Sequence, residues 1–202
     1  MHLLNEMKLY MDNHSPAKQT TFYAIGLSYK KADAEIRGKF SLDTTAKTNL
    51  LEQAKSNGIE SLIVTSTCNR TEIYGFAQHP FQLIHLLCEN SLGTVEEFQK
   101  YAYVYKQKEA LNHIFRVGTG LDSQILGDFE IIAQLKNAFA ESKKHNLANA
   151  YMERLVNSVI QASKKVKNET EISSGATSVS FAAVQYIFKN VEAISDKNIL
   201  LF

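Results

Sequence analysis

From residue 22 onward the hydrophobic pattern switches between the two-residue period of strands and the 3.6-residue period of helices. Phe22 to Tyr29 is an apolar run of strand length. Leu42 to Ser56 places Leu50, Leu51 and Ala54 on one helical face and closes on Asn57-Gly58, a helix stop. Ile59 to Cys68 and Thr71 to Ala77 read as adjacent strands joined by a very short connection. Pro80 to Asn90 reads as a helix with proline at its first turn, where no amide donor is needed. Tyr101 to Tyr105 is aromatic-rich and predicts a last strand. The order βαββαβ over residues 21–107 predicts a ferredoxin-like split βαβ sheet.

Residues 108–195 carry only the helical period, so the fold class is α+β with a helical part after the sheet. Glu109 to Val117 is a short helix. Asp128 to Lys144 starts at an aspartate suited to cap it and carries Ile131, Ile132, Leu135 and Phe139 on one stripe. Ala148 to Lys167 spaces Met152, Leu155, Val156, Val159, Ile160 and Val166 in the same way. After Gly175 a final helix presents Val179, Ala183, Tyr186 and Ile187. All these stripes read as core. Residues 1–20 read as a flexible extension. Residues 196–202 end in Ile199-Leu200-Leu201-Phe202, which reads as the first half-strand of a nucleotide-binding domain cut just inside its start.

Composition narrows the class. A 45% hydrophobic content is enough for a real core, and a net charge of +1 gives no global field that would announce a nucleic-acid partner. Two cysteines make no disulfide framework and fit a reducing cytoplasm. No apolar run reaches the ~20 residues that span a bilayer, and the first 20 residues lack a signal-peptide core. The six histidines are scattered and neither cysteine has a partner at ligand spacing, so no metal site is predicted.

Cys68 is the candidate for chemistry. It stands at a strand end among Thr65, Ser66, Thr67, Asn69 and Arg70, a poor setting for an inert core thiol. A neighbouring guanidinium favours the thiolate, which is the nucleophile. Cys88 lies on an apolar helix face and reads as packing. Arg70 offers a planar fork suited to a carboxylate, or simply a positive charge near the thiol, or a surface ion pair. Thr67 and Asn69 either donate to a ligand or shape the turn.

Thr67-Cys68-Asn69-Arg70-Thr71-Glu72-Ile73-Tyr74 resembles the catalytic-cysteine signature of the glutamyl-tRNA reductases. His113 through Asp128, followed by Gln134, is similar to that family's H-x-x-R-V-x-x-G-L-D-S-x-x-L-G-E segment. Lys165 to Ser173, continuing to Ser178-Val179-Ser180, resembles a third family block. The resemblance runs from about Phe22 to the end of the chain and also implies the split βαβ sheet. It implies that Cys68 attacks the ester of glutamyl-tRNA to form a thioester, which NADPH then reduces to glutamate-1-semialdehyde, the entry to tetrapyrrole synthesis. Arg70 would then hold a substrate carboxylate, and His113 would protonate the leaving group or position substrate.

Ser123 and Gln134 fall on substrate-contact positions of the resembled family, and Thr67, Asn69, Asp128, Phe129 and Glu130 complete the candidate substrate-binding set. The family commonly has L-G-E-P-Q where this chain has Leu126-Gly127-Asp128-Phe129-Glu130, so Asp128 is one methylene short and Phe129 and Glu130 depart outright. A homodimer of the full-length enzyme and an aminotransferase of the next step are the further partners implied.

NADPH finds no G-x-G-x-x-G here, because Gly118-Thr119-Gly120 has Ser123 at the third position. The fragment alone is therefore expected not to reduce substrate. Basic segments at Lys143-Lys144-His145 and Lys164-Lys165-x-Lys167 read as solvated helix faces or phosphate contacts. Two other classes stay open: a thiol-dependent aminoacyl-ester hydrolase, and a tRNA-binding module without chemistry. Tyr101, Tyr103 and Tyr105 alternate as a stacking strand would, but the rest of an RNP1 pattern is missing.

Overall fold

The computed structural model describes residues 20–172, 179–198 and 200. Four strands, β1 (Thr21–Ser28), β2 (Leu62–Ser66), β3 (Arg70–Ala77) and β4 (Tyr103–Lys106), form one sheet in the order β2-β3-β1-β4. Every neighbouring pair is antiparallel. Each pair of strands joined by helices, β1 with β2 and β3 with β4, straddles a third strand. Each crossover holds two helices where the pattern predicts one: α1 (Ala34–Lys39) with α2 (Thr44–Ser56), then α3 (Pro80–Glu89) with α4 (Val95–Tyr101).

The two extra helices are short, and their starts are fixed by local chemistry. Asp33 accepts the Ile36 amide at 2.9 Å to begin α1. Thr94 and Glu97 exchange bonds in a capping box to begin α4. Helix α4 takes Tyr101, so the last strand starts two residues later than predicted. The second strand starts at Leu62 and ends at Ser66, inside the predicted Ile59 to Cys68.

Strand alternation sorts the sheet into two buried faces. Tyr23, Ile25, Leu27 and Ile73 join Leu50, Leu83, Leu87 and Phe98 of α2, α3 and α4. Phe22, Ala24, Ile63 and Tyr74 face the other way, onto α5 (Lys108–Gly118), α6 (Glu130–Lys144) and α7 (Ala150–Glu169). Most of the stripes predicted for α6 and α7 are core: Ile131, Leu135, Phe139, Met152, Leu155, Val156 and Val159 are buried, while Ile132, Ile160 and Val166 are half-buried. Gly26 is required on this second face. A Cβ there would lie 2.3 Å from the Thr71 carbonyl oxygen and 2.9 Å from Cγ of Glu72.

Three expectations need correction or restriction. Asp128 does not cap α6 as its N-cap residue, because the helix starts at Glu130 with Phe129 at the cap position; Asp128 instead accepts the Glu130 amide at 2.9 Å. The last helix, α8 (Val179–Asn190), does not bury its predicted stripe: Ala183 is exposed, Tyr186 is 68% exposed and Ile187 is half-buried. Residues 1–19, 173–178, 199, 201 and 202 lie outside the described residues, and with them most of the predicted extension, part of the third motif and most of the terminal half-strand. Leu200 is exposed rather than buried.

Candidate functional site

The β2–β3 connection is three residues long, Thr67-Cys68-Asn69, and its conformation is fixed by its own bonds. The Thr67 amide donates to the Arg70 carbonyl at 2.8 Å. The Thr67 hydroxyl oxygen accepts from the amides of Asn69 and Arg70, each at 3.2 Å. Thr67 therefore shapes the turn, one of the two roles open to it. From outside the turn, the Tyr29 amide donates to the Asn69 carbonyl at 2.9 Å and Arg37 Nε donates to the Cys68 carbonyl at 2.9 Å. These bonds pin the backbone of Cys68 while its side chain stays exposed.

Two cavities meet at this turn. The smaller, about 190 Å³, is lined by Thr67, Cys68, Asn69, Arg70, Ser123, Gln124, Asp128, Glu130, Ile131 and Gln134. It thus brings the connection against the loop after α5 and the adjoining start of α6, more than fifty residues further along the chain. The larger, about 470 Å³, lies between α2 and α6 against β2, and it shares Thr67, Cys68 and Gln134 with the first.

Ten residues were singled out in the sequence as candidate site residues, and the structure brings eight of them to the smaller cavity: Thr67, Cys68, Asn69, Arg70, Ser123, Asp128, Glu130 and Gln134. His113 and Phe129 line neither cavity. Phe129 is half-buried, with Lys167 Nζ 5.5 Å from its ring centroid. Cys88 sits half-buried against the first core, where burial, with Glu96 and Glu97 nearby, pushes its thiol up to about 11.

Behind the cavity wall lies a buried polar network that sequence reasoning missed. Arg70 is 2% exposed. Its Nη1 donates to Glu72 at 3.0 Å, and its Nη2 donates to the Asp122 carboxylate at 3.2 Å and to the Asp122 carbonyl. Lys30 also pairs with Asp122. Glu72 is fully buried and accepts from Arg70, from Tyr74 at 2.6 Å, from Tyr103 and from His113 Nε2 at 2.6 Å.

Burial alone would raise the Glu72 pKa. Arg70 first, then His113 and Tyr103, overcome it and hold the carboxyl down to about 2. An ionised carboxylate only accepts, so His113 must carry its proton on Nε2. For Arg70, burial disfavours the charge, but Glu72, followed by Tyr74, Tyr103 and Asp122, keeps the guanidinium above its ordinary value. Burial and the Glu72 charge push the Tyr74 and Tyr103 hydroxyls well up, so both stay donors. His113 is further enclosed by the rings of Tyr103 and Tyr105, at 4.9 and 5.0 Å between centroids. The one sequence signal for this network was Glu72 itself, a carboxylate inside a strand otherwise destined for core.

The arrangement fits acyl transfer to a thiol: an exposed cysteine on a rigid turn, an amino-acid-sized cavity on one side and a larger one on the other. It does not fit a dinucleotide. Gly118-Thr119-Gly120 closes α5 instead of opening a helix, and the strands of the described sheet are antiparallel, whereas a pyrophosphate cradle follows a parallel strand and opens a helix. Among the described residues no helix is long and apolar enough to cross a membrane, and no group of three or more His, Cys, Asp or Glu is placed to hold a metal ion.

Residues 25–170 match the family described as "Glutamyl-tRNAGlu reductase, N-terminal domain". The chain is 76% identical over 192 residues to a protein of Flavobacterium psychrophilum named glutamyl-tRNA reductase, covering 95% of this chain and 46% of that protein. A protein of the same name from Christiangramia forsetii is 71% identical, with 95% and 46% covered. The structure of glutamyl-tRNA reductase from Methanopyrus kandleri superimposes with a TM-score of 0.67 at 25% identity, covering 83% of this chain and 39% of that one. The chain spans just under half the length of the curated relatives it matches. With a family match over 146 residues (25 through 170) that takes in the cysteine turn and the loop facing it, this chain belongs to the glutamyl-tRNA reductase N-terminal domain family.

Proposed function

We propose that this chain is the part of a glutamyl-tRNA reductase that accepts the glutamyl group from its tRNA onto Cys68. The single observation that carries the reading is the exposed Cys68 on a pinned turn, at the mouth of a small cavity lined by eight motif residues. The Cys68 thiolate attacks the ester carbonyl carbon, the carbon–sulfur bond forms, and the bond to the ribose oxygen breaks. The ribose oxygen leaves with its electron pair and takes a proton from water. A thioester is more electrophilic than the oxygen ester it replaces, so the acyl group is set up for reduction to an aldehyde.

The acyl side chain occupies the smaller cavity. Ser123, from the loop after α5, and Gln134, from α6, line this cavity and hydrogen-bond the acyl group, with the paired Arg70 guanidinium in the wall beside them. His113 lies behind Arg70 and acts through Glu72: it holds the carboxylate that holds the guanidinium. It is a positioning residue on this reading, not a proton donor to the leaving group. The order of strands, with each crossover straddling a neighbour, is read as a ferredoxin-like sheet with an added helix in each crossover.

NADPH, held outside the described residues, would be the source of the two electrons for that reduction. The described residues do not fit that cofactor, so the chemistry proposed for them stops at the thioester, and water slowly hydrolyses it. The whole protein would work in the cytoplasm as a homodimer and pass its aldehyde, a reactive product, to an aminotransferase. The first tetrapyrrole step is the pathway position that this reaction occupies.

Ser123→Ala and Gln134→Ala test the role of the smaller cavity. Each is expected to slow Cys68 acylation by glutamyl-tRNA about tenfold, and to narrow the preference over glutaminyl-tRNA, because a site built to hydrogen-bond its substrate discriminates through those bonds. Acylation rates from rapid-quench assays with both tRNAs check this. Unchanged discrimination in both variants would remove the smaller cavity from acyl recognition.

A further inference from the structure

Acylation at Cys68 gives an occupant to the smaller cavity and none to the larger one beside it. The larger cavity, at about 470 Å³, falls within the ~300–1,000 Å³ range of ligand sites. Its floor is the edge of the sheet. Strand β2 pairs with β3 on one side and, among the described residues, has no strand on the other, where the cavity between α2 and α6 lies against it. An open edge presents backbone donors and acceptors. Lys47 reaches one of them, with its Nζ donating to the Ser66 carbonyl at 3.4 Å. Leu51, Val64 and Ala138 add apolar surface, while Thr48 and Asn137 add polar groups on the two helical walls.

One group there is incomplete. Thr65 lines this cavity, the residue is 4% exposed, and its hydroxyl, enclosed beneath the cavity surface, has no hydrogen-bond partner. Buried hydroxyls are normally paired, and leaving one unpaired costs free energy. The cavity therefore combines apolar surface, an open backbone edge and an unmatched hydroxyl, next to the nucleophile and outside the acyl site.

We infer that the larger cavity receives the terminal nucleoside of the acylated RNA, so that Cys68 stands between the acyl half of the ester and its leaving alcohol. This rests on acylation of Cys68 by a glutamyl ester. A nucleoside has a flat apolar face, a base edge that pairs with backbone groups, and ribose hydroxyls that pair with the polar side chains of Thr48 and Asn137, or with Thr65 once its hydroxyl turns toward the cavity. An ester bound with its two halves in the two cavities places its carbonyl carbon at the residues they share, Thr67, Cys68 and Gln134. Leaving-group contacts made during attack raise the rate only for esters that carry the nucleoside.

The test uses the full chain and two small esters, 3′-O-glutamyl-adenosine and the α-ethyl ester of glutamate, with Cys68 acylation followed by intact-protein mass spectrometry. Three variants alter the larger cavity alone: Thr48→Phe fills it, Thr65→Val removes the unpaired hydroxyl without changing shape, and Asn137→Ala withdraws an exposed polar group. Each is expected to slow acylation by glutamyl-adenosine about tenfold or more, and to leave the ethyl ester within about twofold. Circular dichroism identifies any variant that fails to fold, and the remaining ones decide. Variants that slow both esters alike, or neither, overturn the inference. The second pattern is also what a nicotinamide ring or a peptide strand in this cavity predicts. A wild-type chain that neither ester acylates defeats the Cys68 reading instead.

Discussion

Cys68→Ser is expected to lower acyl transfer from glutamyl-tRNA by on the order of 10⁴-fold or more while leaving the fold intact. The loss is large because a serine hydroxyl needs an adjacent base, and no histidine lines either cavity among the described residues. His113, the histidine that the family resemblance points to, spends Nε2 on Glu72 and is 8% exposed. Stability should change by less than about 0.5 kcal/mol, since Cys68 is exposed and its turn is held by backbone groups. Single-turnover assays and urea titrations on the same preparations separate the two effects. Acyl transfer at the wild-type rate in the serine variant would remove Cys68 from the chemistry. Cys88→Ser serves as the control and should retain activity, because that thiol packs on the far core.

Glu72→Ala is expected to cost about 3–5 kcal/mol of stability, the range for breaking a buried ion pair by removing one partner. Arg70 would stay buried with only Asp122 to balance it, and Tyr74, Tyr103 and His113 would each lose their acceptor. The same network predicts a pH dependence. The Glu72 carboxyl is lowered from 4.5 to about 2 in the folded chain, so the folded state binds this proton less readily than the unfolded state. Its contribution is therefore complete above about pH 4.5 and is lost as pH falls through that value toward 2. The shift corresponds to about 3 kcal/mol. Urea titrations between pH 6 and pH 3 should show the first part of this loss, about 2 kcal/mol, in wild type, and a shallower loss in Glu72→Gln. A Glu72→Ala chain within 1 kcal/mol of wild type would show that the network does not hold Arg70 in place.

The sheet and its long helices were legible because their apolar positions repeat over enough residues to be read: Leu50, Leu51 and Ala54 in α2, or Met152 through Val159 in α7. Helices α1 and α4 escaped notice since six or seven residues with one buried side chain each, Ile36 and Phe98, give no period. The stripe of α8 was misjudged for a different reason. Periodicity states which side chains share a face, but not whether the described chain supplies a surface to cover it, and Tyr186 and Phe188 remain 68% and 65% exposed.

At the site, the cysteine turn was legible as a cluster of small polar residues at a strand end. The convergence of Ser123, Asp128 and Gln134 on it came from resemblance, because fifty residues of intervening chain carry no local sign of contact. The partners of Arg70 were missed entirely. An ion pair is one of the readings the sequence leaves open for Arg70, but as a surface pair of unnamed partner, whereas both arms of the buried guanidinium are taken by Glu72 and Asp122. Discrimination for a substrate carboxylate by Arg70 would thus act through potential across the cavity wall, or through exchange with the Asp122 carboxylate.

The central claim is that Cys68 carries the glutamyl group. Incubating the chain with glutamyl-tRNA, quenching in acid and mapping peptides by mass spectrometry tests it most directly. The account predicts one glutamyl adduct, on the peptide containing Cys68, released by neutral hydroxylamine as a thioester is. An adduct on Cys88, an adduct stable to hydroxylamine, or deacylated tRNA with no adduct at any quench time would contradict it.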